Sequence, residues 1–132
     1  MPTTIDTRFF LTHYLADADD LRRRTSRRMI ELQREAAIVP TIVIHEVYKF
    51  EYENVGRDVA ETRADSILES RFNIVDLTPE IAIASARLRC KYRRIPTADA
   101  IVAATSMETK SGTVLSDDPH FREIREIKSE WL

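Results

Sequence analysis

With 132 residues, 43% of them hydrophobic, the chain fits one domain, residues 1–132, large enough to bury a core unaided. A single cysteine, Cys90, excludes an internal disulfide and fits a reducing compartment, and two glycines, Gly56 and Gly112, exclude a glycine-rich phosphate loop. The formal charge of −2 argues against a simple polyanion binder. Basic groups nonetheless cluster at Arg22, Arg23, Arg24, Arg27 and Arg28, and again at Arg87, Arg89, Lys91, Arg93 and Arg94.

Strand and helix signals alternate along the chain. β-Branched Thr4 and Ile5 predict a short strand over 3–6. Phe9, Phe10, Leu11, Tyr14 and Leu15 repeat at helical spacing over 8–16, and Leu21, Thr25, Met29 and Leu32 line the inner face of a helix over 18–36. A brief strand follows at 38–40. Thr41 is expected to cap a helix running to about Asn54, which Gly56 closes. Another helix is expected over 57–71, then a strand over 72–77. Thr78-Pro79 is a cap followed by proline at the first helical position, opening a helix to about Tyr92. Thr97 is expected to cap a helix over 98–109, before a strand at 112–115. Asp118-Pro119 opens a short helix, and the last residues suit an edge strand. Strands separated by helices imply an α/β fold: three layers, α/β/α, around a central parallel sheet of four to five strands. The opening MPTTIDTRFF lacks the pattern of a signal peptide, and no apolar run nears the ~20 residues of a membrane span, so the expected location is the cytoplasm.

In such a sheet the active crevice lies beyond the carboxyl ends of the strands. Asp6 ends the first strand, and Asp117 and Asp118 end a later one. Asp99 sits in the first turn of its helix, and Glu46 lies about a turn and a half into another, among apolar Val43, Ile44 and Val47. Carboxylates gathered at one rim raise one another's pKa and oppose folding unless a cation neutralises them. Hard oxygen donors suit Mg²⁺ or Mn²⁺, ions that activate water and stabilise a phosphoryl group under attack. Neutralising those acids leaves basic groups in excess, which is compatible with RNA or DNA as substrate.

Four segments, IDT (5–7), HEV (45–47), PTADAIVAAT (96–105) and LSDDPHF (115–121), resemble in order the acidic motifs of PIN-domain ribonucleases. The likeness is greatest to VapC-type toxins of prokaryotic toxin–antitoxin pairs, and it spans the whole chain. It implies a metal-dependent endoribonuclease in which Asp6, Glu46, Asp99 and Asp118 hold one or two ions, Mg²⁺ or Mn²⁺, and water attacks phosphorus without a covalent enzyme intermediate. Asp117 matches a variable position and is counted as a candidate outer or second-metal ligand. Thr7 and Ser116 match supporting hydroxyl positions, and Thr97 joins them as the helix start expected to keep Asp99 ionised. The resemblance further implies an RNA substrate, an antitoxin partner and a homodimer, and the lack of a long apolar run adds the expectation of no membrane association.

Blander readings exist for each residue. Asp118 and Asp99 can serve only as helix-terminus carboxylates, Glu46 can pair with an arginine, and Asp6 can be a turn residue. The arginine clusters can be solvated faces, or contacts for RNA or for an acidic antitoxin segment. His45 is a poor general base for this cluster, because helix neighbours point about 100° apart. His120 resembles a common, non-catalytic family residue, and His13 reads as helix filler. Phe9, Phe10, Tyr14, Tyr48, Phe50 and Tyr52 read as core or interface, and Phe121 as the staple of the last helix. The rival functional class is a catalytically silent PIN-like binding module. A haloacid-dehalogenase-type site wants an acid where Arg8 stands, and a receiver domain wants its paired acids after the first strand.

Overall fold

Five short strands carry the architecture: β1 (Thr4–Ile5), β2 (Ile38–Pro40), β3 (Asn73–Val75), β4 (Thr113–Leu115) and β5 (Lys128–Glu130). The structure, a computed structural model, describes residues 2–132. Every pairing is parallel, in the order β3-β2-β1-β4-β5. Parallel neighbours need long crossovers, and these are α1 (Thr7–Leu15), α2 (Asp19–Arg34), α3 (Thr41–Asn54), α4 (Arg57–Leu68), α5 (Pro79–Lys91) and α6 (Thr97–Glu108). A 3-10 segment, Pro119–Glu123, links β4 to β5. The result is the expected three-layer α/β/α fold. Ile5, Val39, Val114 and Leu115 are fully buried, as strands covered on both faces require. The charged sequence of β5 suits its place at an edge.

Chain order positions the site. From β1 the sheet grows through β2 to β3, and the chain then returns to lay β4 on the other side of β1. The direction of winding therefore reverses between β1 and β4, and a crevice opens beyond their carboxyl ends. Thr4 pairs with Val114 and Ile5 with Leu115, so the residues just after each strand, Asp6 and Ser116, emerge side by side. Beside them packs α6, buried continuously from Asp99 to Ser106. A helix that is apolar on all sides belongs inside, and Ala100, Ala103 and Ala104, each fully buried, let it approach its neighbours closely.

Helix starts follow the sequence in two cases and depart from it in two. Thr78 is the N-cap of α5, its hydroxyl accepting from the Ile81 N–H at 3.2 Å, with Pro79 in the first turn. Asp118 likewise caps the 3-10 segment. Thr41 and Thr97, in contrast, are the first helical residues rather than caps. Pro40 (φ −63, ψ 140) and Pro96 (φ −62, ψ 155) supply the extended cap conformation, with no side-chain bond. A threonine with helical backbone cannot turn its hydroxyl onto the free amides ahead of it. We therefore expect Thr78→Ala to lower stability by about 1 kcal/mol in urea unfolding, and Thr41→Ala by less than half of that. Helix ends are shorter than the sequence suggests. α2 stops at Arg34 because Ala36 turns left-handed at φ 53. Gly56, at φ 137, closes α3 as expected, its N–H bonding the Glu51 carbonyl at 2.9 Å. Phe9, Phe10 and Phe121 are fully buried, whereas Tyr52 is half exposed at 50%.

Candidate metal centre

Asp6 leaves β1 as the N-cap of α1, its carboxylate accepting from the Arg8 N–H at 3.4 Å. Its own amide donates to the Leu115 carbonyl at 3.2 Å, which keeps β1 and β4 in step to their ends. Ser116, just past β4, donates its hydroxyl to Asp6 Oδ2 at 2.7 Å, and Ser116 Oγ in turn accepts from the Asp118 amide at 3.0 Å. One buried hydroxyl thus joins two acids separated by most of the chain. On the opposite side, Thr7 donates its hydroxyl to Glu46 Oε1 at 2.7 Å. That hydroxyl, and no arginine among the described residues, is the hydrogen-bond partner of Glu46.

Asp99 and Asp118 approach each other through His120. Asp118 accepts from the His120 backbone N–H at 3.0 Å, and the tight 3-10 turn folds the imidazole back. His120 Nδ1 lies 2.9 Å from Asp99 Oδ2 and 3.0 Å from Asp118 Oδ1. Ligand atoms of Asp99, Asp118 and His120 all fall within 4.8 Å of one another. Asp6 and Glu46 stand outside this tightest group but share its electrostatic field. Burial pushes Asp6 up to about 7, reinforced by the charges of Asp99 and Glu46 against the bonds from Ser116 and Arg8. Burial likewise raises Asp99 to about 6, with the charges of Asp118 and Glu46 adding to it and His120 opposing. Loss of water thus weakens the charge expected at Asp99, but a carboxyl at about 6 is still largely ionised at neutral pH.

Asp117 is engaged elsewhere. Both its oxygens take the Arg8 guanidinium, at 2.9 and 3.3 Å, and that bond holds its carboxyl below the usual range. Thr97 is exposed at the first position of α6. With Thr7 and Glu46 it lines a cavity of about 530 Å³ that runs along α3. Two residues of this neighbourhood were not singled out by sequence reasoning: Arg8, which clamps Asp117, and His120, which had been set aside. Their signals were present. Arg8 directly follows IDT, and His120 stands two residues after the capping Asp118, the spacing that brings a side chain back over its own cap.

Two carboxylates and an imidazole nitrogen around a solvent-open gap, with Asp6 and Glu46 adding their charge from nearby, suit a divalent cation whose charge would offset the repulsion. Sequence comparison points the same way: a PIN domain family model matches residues 3–127. The chain belongs to the PIN domain family. In this PIN domain the four acidic segments read from the sequence all end at one rim, beyond β1 and β4 and at α3 and α6. Among solved structures, it is similar to VapBC2 from Rickettsia felis bound to promoter DNA, at 15% identity, TM-score 0.78, and 100% and 99% coverage of the two chains. DNA-bound VapBC from Salmonella typhimurium gives 15% identity, TM-score 0.78, and 99% and 98% coverage. VapC20 of Mycobacterium tuberculosis, a toxin that cleaves the sarcin–ricin loop, gives 16% identity, TM-score 0.72, and 90% and 92% coverage. No curated protein matches in sequence.

Proposed function

We propose that this PIN domain is a Mg²⁺- or Mn²⁺-dependent endoribonuclease, the toxin of a VapBC-type toxin–antitoxin pair. The observation that carries the reading is the convergence of Asp6, Glu46, Asp99 and Asp118 on one crevice, with two buried carboxyls driven to about 7 and about 6. Carboxyls perturbed by burial and by like charges at a crevice are the kind of group that functional sites assemble. Asp6, Glu46, Asp99 and Asp118 hold the ion or ions. When bound, a divalent ion lowers the pKa of water and stabilises charge on a phosphoryl group. The chain's own hydroxyls do the positioning: Ser116 orients Asp6, Thr7 orients Glu46, and Thr97 faces the cavity. The RNA substrate class is supported by VapC20, a cleaver of the sarcin–ricin loop, and the antitoxin partner by the VapBC complexes of similar fold. A homodimer is part of the same reading. Its support is the groove of about 490 Å³ beside Ile44, Tyr48 and Tyr52 on the outer face of α3. Among the described residues no helix is long and apolar enough to cross a membrane.

The test is cleavage of structured RNAs in Mn²⁺, Mg²⁺ or EDTA. Cleavage that requires the ion supports the reading. No cleavage of any RNA together with no Mn²⁺ binding supports the silent binding module instead, whereas Mn²⁺ binding without cleavage points to a narrow substrate missing from the panel. Of the two basic clusters, the later one leads into α6, the helix that carries Asp99. Arg89 is tied to the Ile95 carbonyl at 3.1 Å and Lys91 to Glu126 at 3.2 Å. Arg93 and Arg94 are exposed, without a carboxylate partner among the described residues, and immediately precede α6. Arg93→Ala/Arg94→Ala should weaken RNA binding by about tenfold at low salt and flatten its salt dependence by about two phosphate contacts. Arg23→Ala/Arg24→Ala on α2 should leave both nearly unchanged.

A further inference from the structure

The pair of separations at His120 carries more than a hydrogen bond. Ligands about 2.1 Å from an octahedral ion sit about 3 Å apart on neighbouring corners. His120 Nδ1 keeps 2.9 Å to Asp99 Oδ2 and 3.0 Å to Asp118 Oδ1, so the nitrogen already stands at neighbouring-corner spacing from both carboxylates, and ligand atoms of all three residues lie within 4.8 Å of one another. The ring is held by its own turn. Pro119 and the Asp118 cap set the backbone, and Phe121, fully buried, anchors the next residue. Access is open: the side chains of Asp99, Asp118 and His120 are 13%, 24% and 37% exposed. The other histidines fail this geometry. His13 Nδ1 bonds Thr25 Oγ1 at 2.9 Å, and His45 lies on α3 facing the cavity.

We propose that His120 is a direct metal ligand through Nδ1, making the centre a mixed nitrogen–oxygen site that prefers Mn²⁺ to Mg²⁺. With its proton on Nε2, the imidazole presents the Nδ1 lone pair to the gap between Asp99 and Asp118. Mg²⁺ is a hard ion that favours oxygen donors and keeps its waters, so replacing an oxygen by imidazole penalises it more than a transition ion. This assignment rests on the metal-dependent reading above and deepens it.

The experiment uses the whole protein without RNA. Mn²⁺ is bound, its coupling to histidine nitrogen is read by pulsed EPR, and Mn²⁺ and Mg²⁺ affinities are read by calorimetry. The expected result is one directly coupled nitrogen in wild type and in His45→Ala, lost in His120→Gln. That variant should bind Mn²⁺ on the order of tenfold or more weakly, with a much smaller change for Mg²⁺. Mn²⁺ binding with no nitrogen coupling in the wild type overturns the ligand assignment alone and leaves the nuclease reading intact. Coupling that persists in His120→Gln and disappears in His45→Ala assigns the ligand to His45 and overturns it equally. Failure of the wild type to bind Mn²⁺ or Mg²⁺ overturns both this assignment and the metal-dependent nuclease.

Discussion

Asp99→Asn is expected to leave a folded protein whose metal-dependent RNA cleavage is reduced on the order of 10³-fold. The substitution keeps the size of the side chain and an oxygen able to accept from His120, so α6 retains its packing. It removes the charge. Metal stabilisation of a phosphoryl transition state amounts to several kcal/mol, and each 1.4 kcal/mol is tenfold in rate. Burial already makes the charge at Asp99 costly, with its carboxyl raised to about 6. The neutral variant should therefore be no less stable than the metal-free wild type at neutral pH. Initial rates in Mn²⁺, with circular dichroism to verify folding, decide the matter. An undiminished rate in a folded Asp99→Asn protein would remove Asp99 from the site.

The second large effect concerns stability and pH. Asp6 is 2% exposed and titrates near 7, against 3.8 for an ordinary aspartate. A carboxyl whose folded pKa is raised contributes stability that is full below the unfolded value. That stability is lost as pH rises through the folded value. The metal-free protein should therefore lose stability between about pH 4 and pH 7, with Asp99 adding to the loss over the lower part of that window. Asp117 and Glu126, both lowered, act oppositely and only at more acid pH. Asp6→Asn removes the penalty while leaving an oxygen for the Ser116 hydroxyl. At pH 8 without metal it should melt about 5–10 °C above wild type, the equivalent of roughly 2 kcal/mol in a chain of this length. At pH 4 the two should coincide. Adding Mn²⁺ at pH 8 should raise the wild type and not the variant. Thermal melts across pH, with EDTA or Mn²⁺, measure all of this, and an Asp6→Asn protein less stable than wild type at pH 8 would contradict it.

What was legible in the sequence was legible for physical reasons. Thr78-Pro79 and Asp118-Pro119 announce helix starts because cap and first-turn proline act locally. The four acidic segments stand out because carboxylates at strand ends and helix starts have few cheap explanations together. Less legible was anything set by backbone conformation or by distant partners. Thr41 and Thr97 looked like caps, yet the prolines before them took that position. Burial around α6 raises Asp99 to about 6, a shift set by tertiary packing that no local signal announces. His120 looked ordinary until the 3-10 turn brought it within 2.9 Å of an acid 21 residues earlier. Asp117 seemed available until Arg8, 109 residues before it, took both oxygens.

The placement of β1 between β2 and β4 has a consequence for how the protein is made. Of the two neighbours of β1, one is synthesised early and the other more than a hundred residues later, as the Thr4–Ser111 and Asp6–Ser116 bonds at separations of 107 and 110 measure. Contacts so remote in sequence close slowly. A chain still on the ribosome carries β1 with one edge unpaired, prone to unwanted strand pairing. It also carries Asp6 and Glu46 without Asp118 or His120. The site is completed only when β4 and the turn after it emerge, so a nascent or truncated chain ending before residue 116 cannot assemble it.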